Sequence, residues 1–76
     1  MHIEDRLKKT YPTLTKRERE ISIGIAKGKG NREIAKDFGL QEQSVKNLTS
    51  QIMRKLGVKN RVQVALLARG IEPASD

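Results

Sequence analysis

The chain has 76 residues, the length of one small domain, and carries 16 Lys plus Arg against 9 Asp plus Glu, a formal charge of +7. It contains no cysteine, which excludes disulfides and thiolate metal sites and fits a reducing cytoplasm. No segment approaches the roughly 20 apolar residues of a membrane span, and the amino terminus lacks a signal-peptide pattern. We therefore expect a cytoplasmic protein with a polyanionic partner, although basic proteins of other classes share this charge.

The first 13 residues leave two interpretations open. Ile3, Leu7 and Tyr11 recur at helical spacing, which predicts one or two helical turns over residues 3–9. Pro12 disfavours helix at Tyr11 and ends such a segment. We expect residues 1–13 to be a solvated linker or an N-terminal extension, and the alternative is a docking helix that continues from an upstream domain.

The first firm helix of the sequence begins at Thr15. Thr15 and Glu18 have the T-x-x-E spacing of a capping box, and Ile21 and Ile25 form one apolar stripe that ends near residue 27. Gly24 lies inside this helix, where it costs about 1 kcal/mol relative to alanine. The close approach of another helix would explain that glycine.

Residues 30–57 predict a short helix over 31–38, a turn with a glycine, and a longer helix over 42–56. Apolar residues recur at helical spacing on both sides of the turn, and Gly39 and Gly57 are suited to the left-handed position that follows a helix. The outer face of the longer helix is polar and cationic, with Gln43, Lys46, Asn47, Ser50 and Arg54. A rigid helix pair with such a face fits the major groove of DNA.

A last helix is predicted from Asn60, a good N-cap, to about residue 69, and residues 71–76 are expected to be a flexible tail. Apolar side chains surround most of this helix: Val62, Val64, Ala65, Leu66, Leu67 and Ala68. A short surface helix needs only one apolar face, so the excess face predicts a partner. We expect a second copy of the chain, bound through Val64, Leu67 and Ala68. Packing on the N-terminal segment or on another domain is the alternative.

The sequence contains no strand pattern, which predicts an all-α fold, and between Leu14 and Gly70 it resembles one family of helical domains. That family is the LuxR-type (NarL/FixJ, GerE-like) helix-turn-helix domain of bacterial transcription regulators. The residues that carry the resemblance are Leu14-Thr15-x-Arg17-Glu18-x-Glu20, then Ala26-x-Gly28-x-x-Asn31-x-Glu33-Ile34-Ala35, then Val45-Lys46, Ile52-x-x-Lys55-Leu56-Gly57-Val58 and Arg61.

The resemblance implies a four-helix domain over residues 14–70 that binds promoter DNA as a homodimer. The spacing of Ile3 and Leu7 allows a short extra helical turn before that domain. The resemblance also implies a transcription regulator, either standing alone or as the C-terminal effector domain of a response regulator in a two-component system. RNA polymerase is a further partner that such a role would involve. A sigma-factor-like promoter-recognition module shares the helix pair and is a competing interpretation.

Particular residues are expected to contact DNA. Base contacts are expected from Lys46, which can donate to guanine, from Asn47, which can bond adenine with both amide atoms, and from Ser50 on the same face. Gln43 lies one turn earlier on that face. Phosphate contacts are expected from six residues: Asn31, Arg32, Ser44, Arg54, Lys55 and Arg61. Asn31 and Arg32 lie at a helix N-terminus, which favours an anion.

Two other classes of function compete with DNA binding. A helical interaction module would use the apolar last helix to bind a protein. An enzyme is poorly supported, because the sequence lacks a cysteine, a central histidine, a paired-carboxylate pocket and a phosphate-cradling glycine loop. We expect no cofactor and no metal, and we interpret Glu18, Glu20 and Glu33 as capping or intrahelical carboxylates.

Overall fold

A computed structural model describes residues 2–71, and this part of the chain folds into five α-helices without a strand. The helices are α1 (Ile3–Thr10), α2 (Lys16–Ala26), α3 (Asn31–Phe38), α4 (Glu42–Leu56) and α5 (Arg61–Ala68). α2 packs on α4 and α5, α3 packs on α4, and α1 packs on α2. The predicted all-α class is confirmed, and α2 to α5 are the four helices that the sequence predicts.

Residues 3–10, for which the sequence left a linker and a helix both open, form helix α1. Leu7 is fully buried, and the Arg19 Nε donates to the Glu4 Oε1 across 3.1 Å, joining α1 to α2. The Tyr11 amide closes the helix on the Leu7 carbonyl. A solvated linker is therefore the wrong description of these residues, because Leu7 occupies a position inside the domain.

Helix α2 begins with the predicted capping box. The Glu18 amide donates to the Thr15 Oγ1 at 3.1 Å, and the Thr15 amide donates to the Glu18 Oε1 at 2.7 Å. Gly24 faces α3 so closely that a Cβ atom there would lie 3.1 Å from the Ile34 Cγ1. The predicted reason for this glycine, a neighbouring helix at short distance, is confirmed.

The core is aliphatic and is shared by α2, α3, α4 and α5. It contains Leu14, Ile21, Ile25, Ile34, Ala35, Val45, Ile52 and Val64. Gly39 and Gly57 adopt the left-handed conformation, with φ of 65° and 70°, and end α3 and α4 as predicted. Leu40 packs against the core from the turn between these two helices, so the turn adds an apolar side chain to the packing of the domain.

Helix α5 divides its apolar residues differently from the sequence expectation. Val64 and Ala68, predicted to contact a second copy, are fully buried inside the monomer, because this side of α5 packs on α2. Leu67 is half-buried and lines a cavity of about 190 Å³ together with Leu7 and other residues of α1. The side of α5 that remains open is the one that carries Val62, which is 67% exposed.

The end of α5 is closed by the Ile71 amide, which donates to the Leu66 carbonyl at 2.8 Å. The other residues of the predicted tail, 72–76, lie outside the described part of the chain.

Candidate nucleic-acid interface

Helix α4 presents a polar face to solvent and an apolar face to the core. Val45, Thr49 and Ile52 are buried, and the Thr49 hydroxyl donates a hydrogen bond to the Val45 carbonyl at 2.8 Å, which satisfies this buried polar group. The predicted base-contacting side chains are all exposed: Gln43, Lys46, Asn47 and Ser50. We call these four residues and the exposed Arg54 the α4 outer face. The 3.6-residue period of the helix places these five residues on one side, while the residues between them in sequence include those that pack against the core.

Hydrogen bonds within the α4 outer face arrange its polar groups. The Gln43 Nε2 donates to the Asn47 Oδ1 at 2.9 Å, and the Ser50 hydroxyl donates to the Lys46 carbonyl at 3.2 Å. The Asn47 Nδ2 therefore remains available as a donor, and the second lone pair of its Oδ1 remains available as an acceptor. Within residues 2–71, Lys46 forms no ion pair with a carboxylate. This face can donate several hydrogen bonds to an electron-rich surface.

The six predicted phosphate contacts fall into two groups. Arg32 and Arg54 are exposed, and in the described range neither pairs with a carboxylate. Ser44 is half-buried in the first turn of α4, where its amide donates to the Gln41 carbonyl. Asn31, Arg61 and Lys55 are instead engaged with other parts of the protein. Only the first group has cations that are free to move to a phosphate.

Arg61 connects the beginnings of α5 and α3. Its Nη1 donates to the Asn31 Oδ1, and its Nη2 donates to the Lys29 carbonyl at 2.6 Å. Burial lowers the pKa of the Arg61 guanidinium from its ordinary value. These bonds keep the N-terminus of α3 beside a positive charge, and they use two of the five N–H donors of Arg61 within the protein.

Lys55 is held by two acceptors of the protein. Its Nζ donates to the Glu18 Oε1 at 2.7 Å and to the Thr13 carbonyl at 3.0 Å. Glu18 is only 1% exposed, and this burial acts to raise its pKa. The Lys55 ammonium and the hydrogen bonds with Thr15 outweigh burial, so the pKa of Glu18 lies below its usual value. Glu18 is therefore a carboxylate that keeps its charge inside the fold.

Two contacts near this surface were missed by the sequence reasoning. The Arg17 guanidinium of α2 lies over the Phe38 ring of α3, 4.9 Å from its centroid. The Lys29 ammonium pairs with Asp37 at 2.5 Å. Neither pair has a local signal, because the partners belong to different elements or are separated by more than two turns.

Among the described helices, none is long and apolar enough to cross a membrane.

The chain is similar in sequence to known bacterial regulatory proteins. Over residues 12–68 the chain matches the family described as bacterial regulatory proteins, luxR family. The spore germination protein GerE of Bacillus subtilis is 46% identical over 61 residues, which cover 78% of this chain and 82% of that protein. No solved structure matches the chain significantly.

Two longer relatives resemble the chain over one part of their length. The transcriptional regulatory protein DesR of Bacillus subtilis is 39% identical over 61 residues, 80% of this chain and 30% of that protein. The response regulator protein VraR of Staphylococcus aureus is 41% identical over 69 residues, 87% of this chain and 33% of that protein. The chain thus spans about a third of the length of these two relatives. With a family match over most of its residues and a helix-turn-helix formed by α3 and α4, the chain belongs to the luxR family of bacterial regulatory proteins, a family of DNA-binding transcription regulators.

Proposed function

We propose that this domain regulates transcription by binding a specific DNA sequence, with α4 inserted in the major groove. The observation that carries the proposal is the α4 outer face, where Lys46 and Asn47 are exposed beside each other and Lys46 has no carboxylate partner within the described residues. The similarity to the transcriptional regulatory protein DesR and to the response regulator VraR supports the same role. The net charge of +7 favours a polyanion.

The residues of the proposed DNA complex have separate tasks. Lys46 and Asn47 read base edges, with Ser50 and Gln43 beside them on the same face. Asn47 offers adenine a donor at Nδ2 and an acceptor lone pair at Oδ1, and the hydrogen bond from Gln43 holds this amide in place. Arg32 and Arg54 contact phosphates, together with Ser44 and the N-terminus of α3 at Asn31.

Selection from a random pool of duplexes tests this proposal. We expect the domain to enrich a sequence motif, because base contacts distinguish sequences while phosphate contacts do not. Affinity for the enriched duplex, measured by fluorescence anisotropy over a series of KCl concentrations, should fall with a slope of about −0.9 in log K against log salt for each neutralised phosphate. Binding that shows neither a motif nor a salt slope would contradict the proposal.

We further propose a cytoplasmic regulator that acts as a homodimer on promoter DNA and communicates with RNA polymerase. It works either alone or as the C-terminal effector domain of a response regulator. The open side of α5 supports dimerisation: Val62 is 67% exposed. Val62 and Ala65 line a groove of about 180 Å³ together with Ile25 of α2. Pairing α5 with its two-fold copy would cover this groove in both chains. Val64 and Ala68 support α5 from inside, and Leu67 faces α1.

A single charge on the open side of α5 provides the test of the dimer. We expect Val62→Glu to weaken self-association at least about tenfold, because an apolar interface disfavours an unpaired carboxylate. Sedimentation velocity, with and without a duplex that carries two copies of the selected motif, would measure the stoichiometry. Gln51→Glu adds the same charge at an exposed position of α4 and serves as the control for mass measured without DNA. Equal masses for Val62→Glu and the unmodified domain in both conditions would exclude this interface.

A further inference from the structure

One ammonium group links the end of α4 to the beginning of α2. Lys55 lies in the last turn of α4, and its Nζ donates to Glu18, a residue 37 positions earlier in the chain, and to the Thr13 carbonyl. The same Glu18 oxygen accepts the Thr15 amide at 2.7 Å in the capping box. One carboxylate oxygen therefore serves both the cap of α2 and the anchor of α4.

The burial of Glu18 makes it costly to separate the Lys55 ammonium from the Glu18 carboxylate. Glu18 is 1% exposed, so it cannot replace a lost cation with bulk water. Moving the Lys55 ammonium to a DNA phosphate would leave that carboxylate buried and uncompensated. Arg54, the preceding residue, is exposed and has no ion pair in the described range. The two adjacent cations therefore differ in what they are free to do.

We propose that Lys55 is a positioning residue, which fixes the orientation of α4 through Glu18 and aims the α4 outer face at the bases without neutralising a phosphate. This inference rests on the proposed function. The other contacts that hold α4 are mostly aliphatic, and burial of apolar surface has no preferred direction. A charge-assisted hydrogen bond to a carboxylate that is itself fixed by a helix cap does have a preferred direction, so it can fix the orientation of α4. Reading bases requires a fixed orientation of α4, since hydrogen bonds weaken steeply as their angle departs from linear.

The two adjacent cations offer a matched experiment. Lys55→Gln, Lys55→Arg and Arg54→Gln would be compared for affinity to the duplex selected by the unmodified domain and to a shuffled duplex of equal composition. Each affinity would be measured over a KCl series. Arg54→Gln is expected to weaken both duplexes alike and to reduce the salt slope by about 0.9.

Lys55→Gln is expected to leave the salt slope unchanged and to lower the preference for the selected duplex at least about fivefold, the smallest effect of one lost base contact. Lys55→Arg should restore most of that preference, because a guanidinium also donates to a carboxylate. A reduced slope with equal weakening of both duplexes would make Lys55 a phosphate contact and overturn the inference. An unchanged preference with an unchanged slope would overturn it as well.

Two further measurements keep the outcome interpretable. If circular dichroism shows that Lys55→Gln is partly unfolded at the assay temperature, the double variant Glu18→Gln/Lys55→Gln replaces it, because it removes the buried charge together with its partner. The same two readouts then apply. Failure of the unmodified domain to prefer any duplex would contradict the proposed function itself, a result distinct from a preference that Lys55→Gln leaves intact.

Discussion

Replacing Lys46 and Asn47 together by alanine is expected to abolish the preference of the domain for its selected duplex. Both side chains are exposed on α4, so their removal leaves the core untouched and the fold intact. A good base contact contributes about 1–3 kcal/mol of discrimination, so the double variant is expected to lose at least that much, although the effects of adjacent residues do not simply add. The measurement is the ratio of affinities for the selected and the shuffled duplex at one salt concentration.

A matched charge removal separates base reading from general electrostatics. Lys9→Ala removes one positive charge, as the double variant does, but from an exposed position of α1, the helix that packs on α2. We expect this control to weaken both duplexes slightly and to keep their ratio. If the control and the double variant lower the ratio by the same factor, the α4 outer face does not read bases.

Replacing Leu7 by alanine is expected to have the largest effect on stability among substitutions in α1. Leu7 is fully buried, and truncating a buried leucine costs about 2–5 kcal/mol, the range that includes the cavity it leaves. The loss of stability cannot exceed the free energy with which α1 packs on the rest of the domain, because a larger loss would detach α1 instead. In a domain of this size each kcal/mol lowers the melting temperature by about 4–8 °C, so a drop of at least about 8 °C is expected.

Thermal unfolding followed by circular dichroism would measure this drop. Lys8→Ala is the control, since it changes the adjacent and exposed residue of the same helix and keeps helix propensity high. Equal melting temperatures for the two variants would show that α1 adds little to the stability of the domain. A selective loss in Leu7→Ala would make residues 3–10 an integral part of the folded unit.

Local signals in the sequence were sufficient to predict α2 to α5, but they left α1 undecided between a helix and a linker. The bounds of α3 and α4 are those predicted, because Gly39 and Gly57 end these helices in the left-handed conformation. The capping box at Thr15 was also evident, since its two partners lie three residues apart. Caps and helical periodicity depend on neighbours within about one turn, so they are readable without a tertiary structure. The exposure of the α4 outer face follows from the same periodicity.

The tertiary structure alone decided which apolar and charged groups are used inside the domain. Val64 and Ala68 were expected at a dimer surface, yet they are buried because α5 packs on α2 with that side. Lys55 looked like Arg54 in sequence, and only its distance from Glu18 in space distinguishes them. The sequence by itself determined α2 to α5, their ends and the polar face of α4, since those depend on interactions between near neighbours in the chain. Which side of α5 is covered, and which cations are already paired, depend on contacts between residues far apart in sequence, and these exist only once the helices have packed.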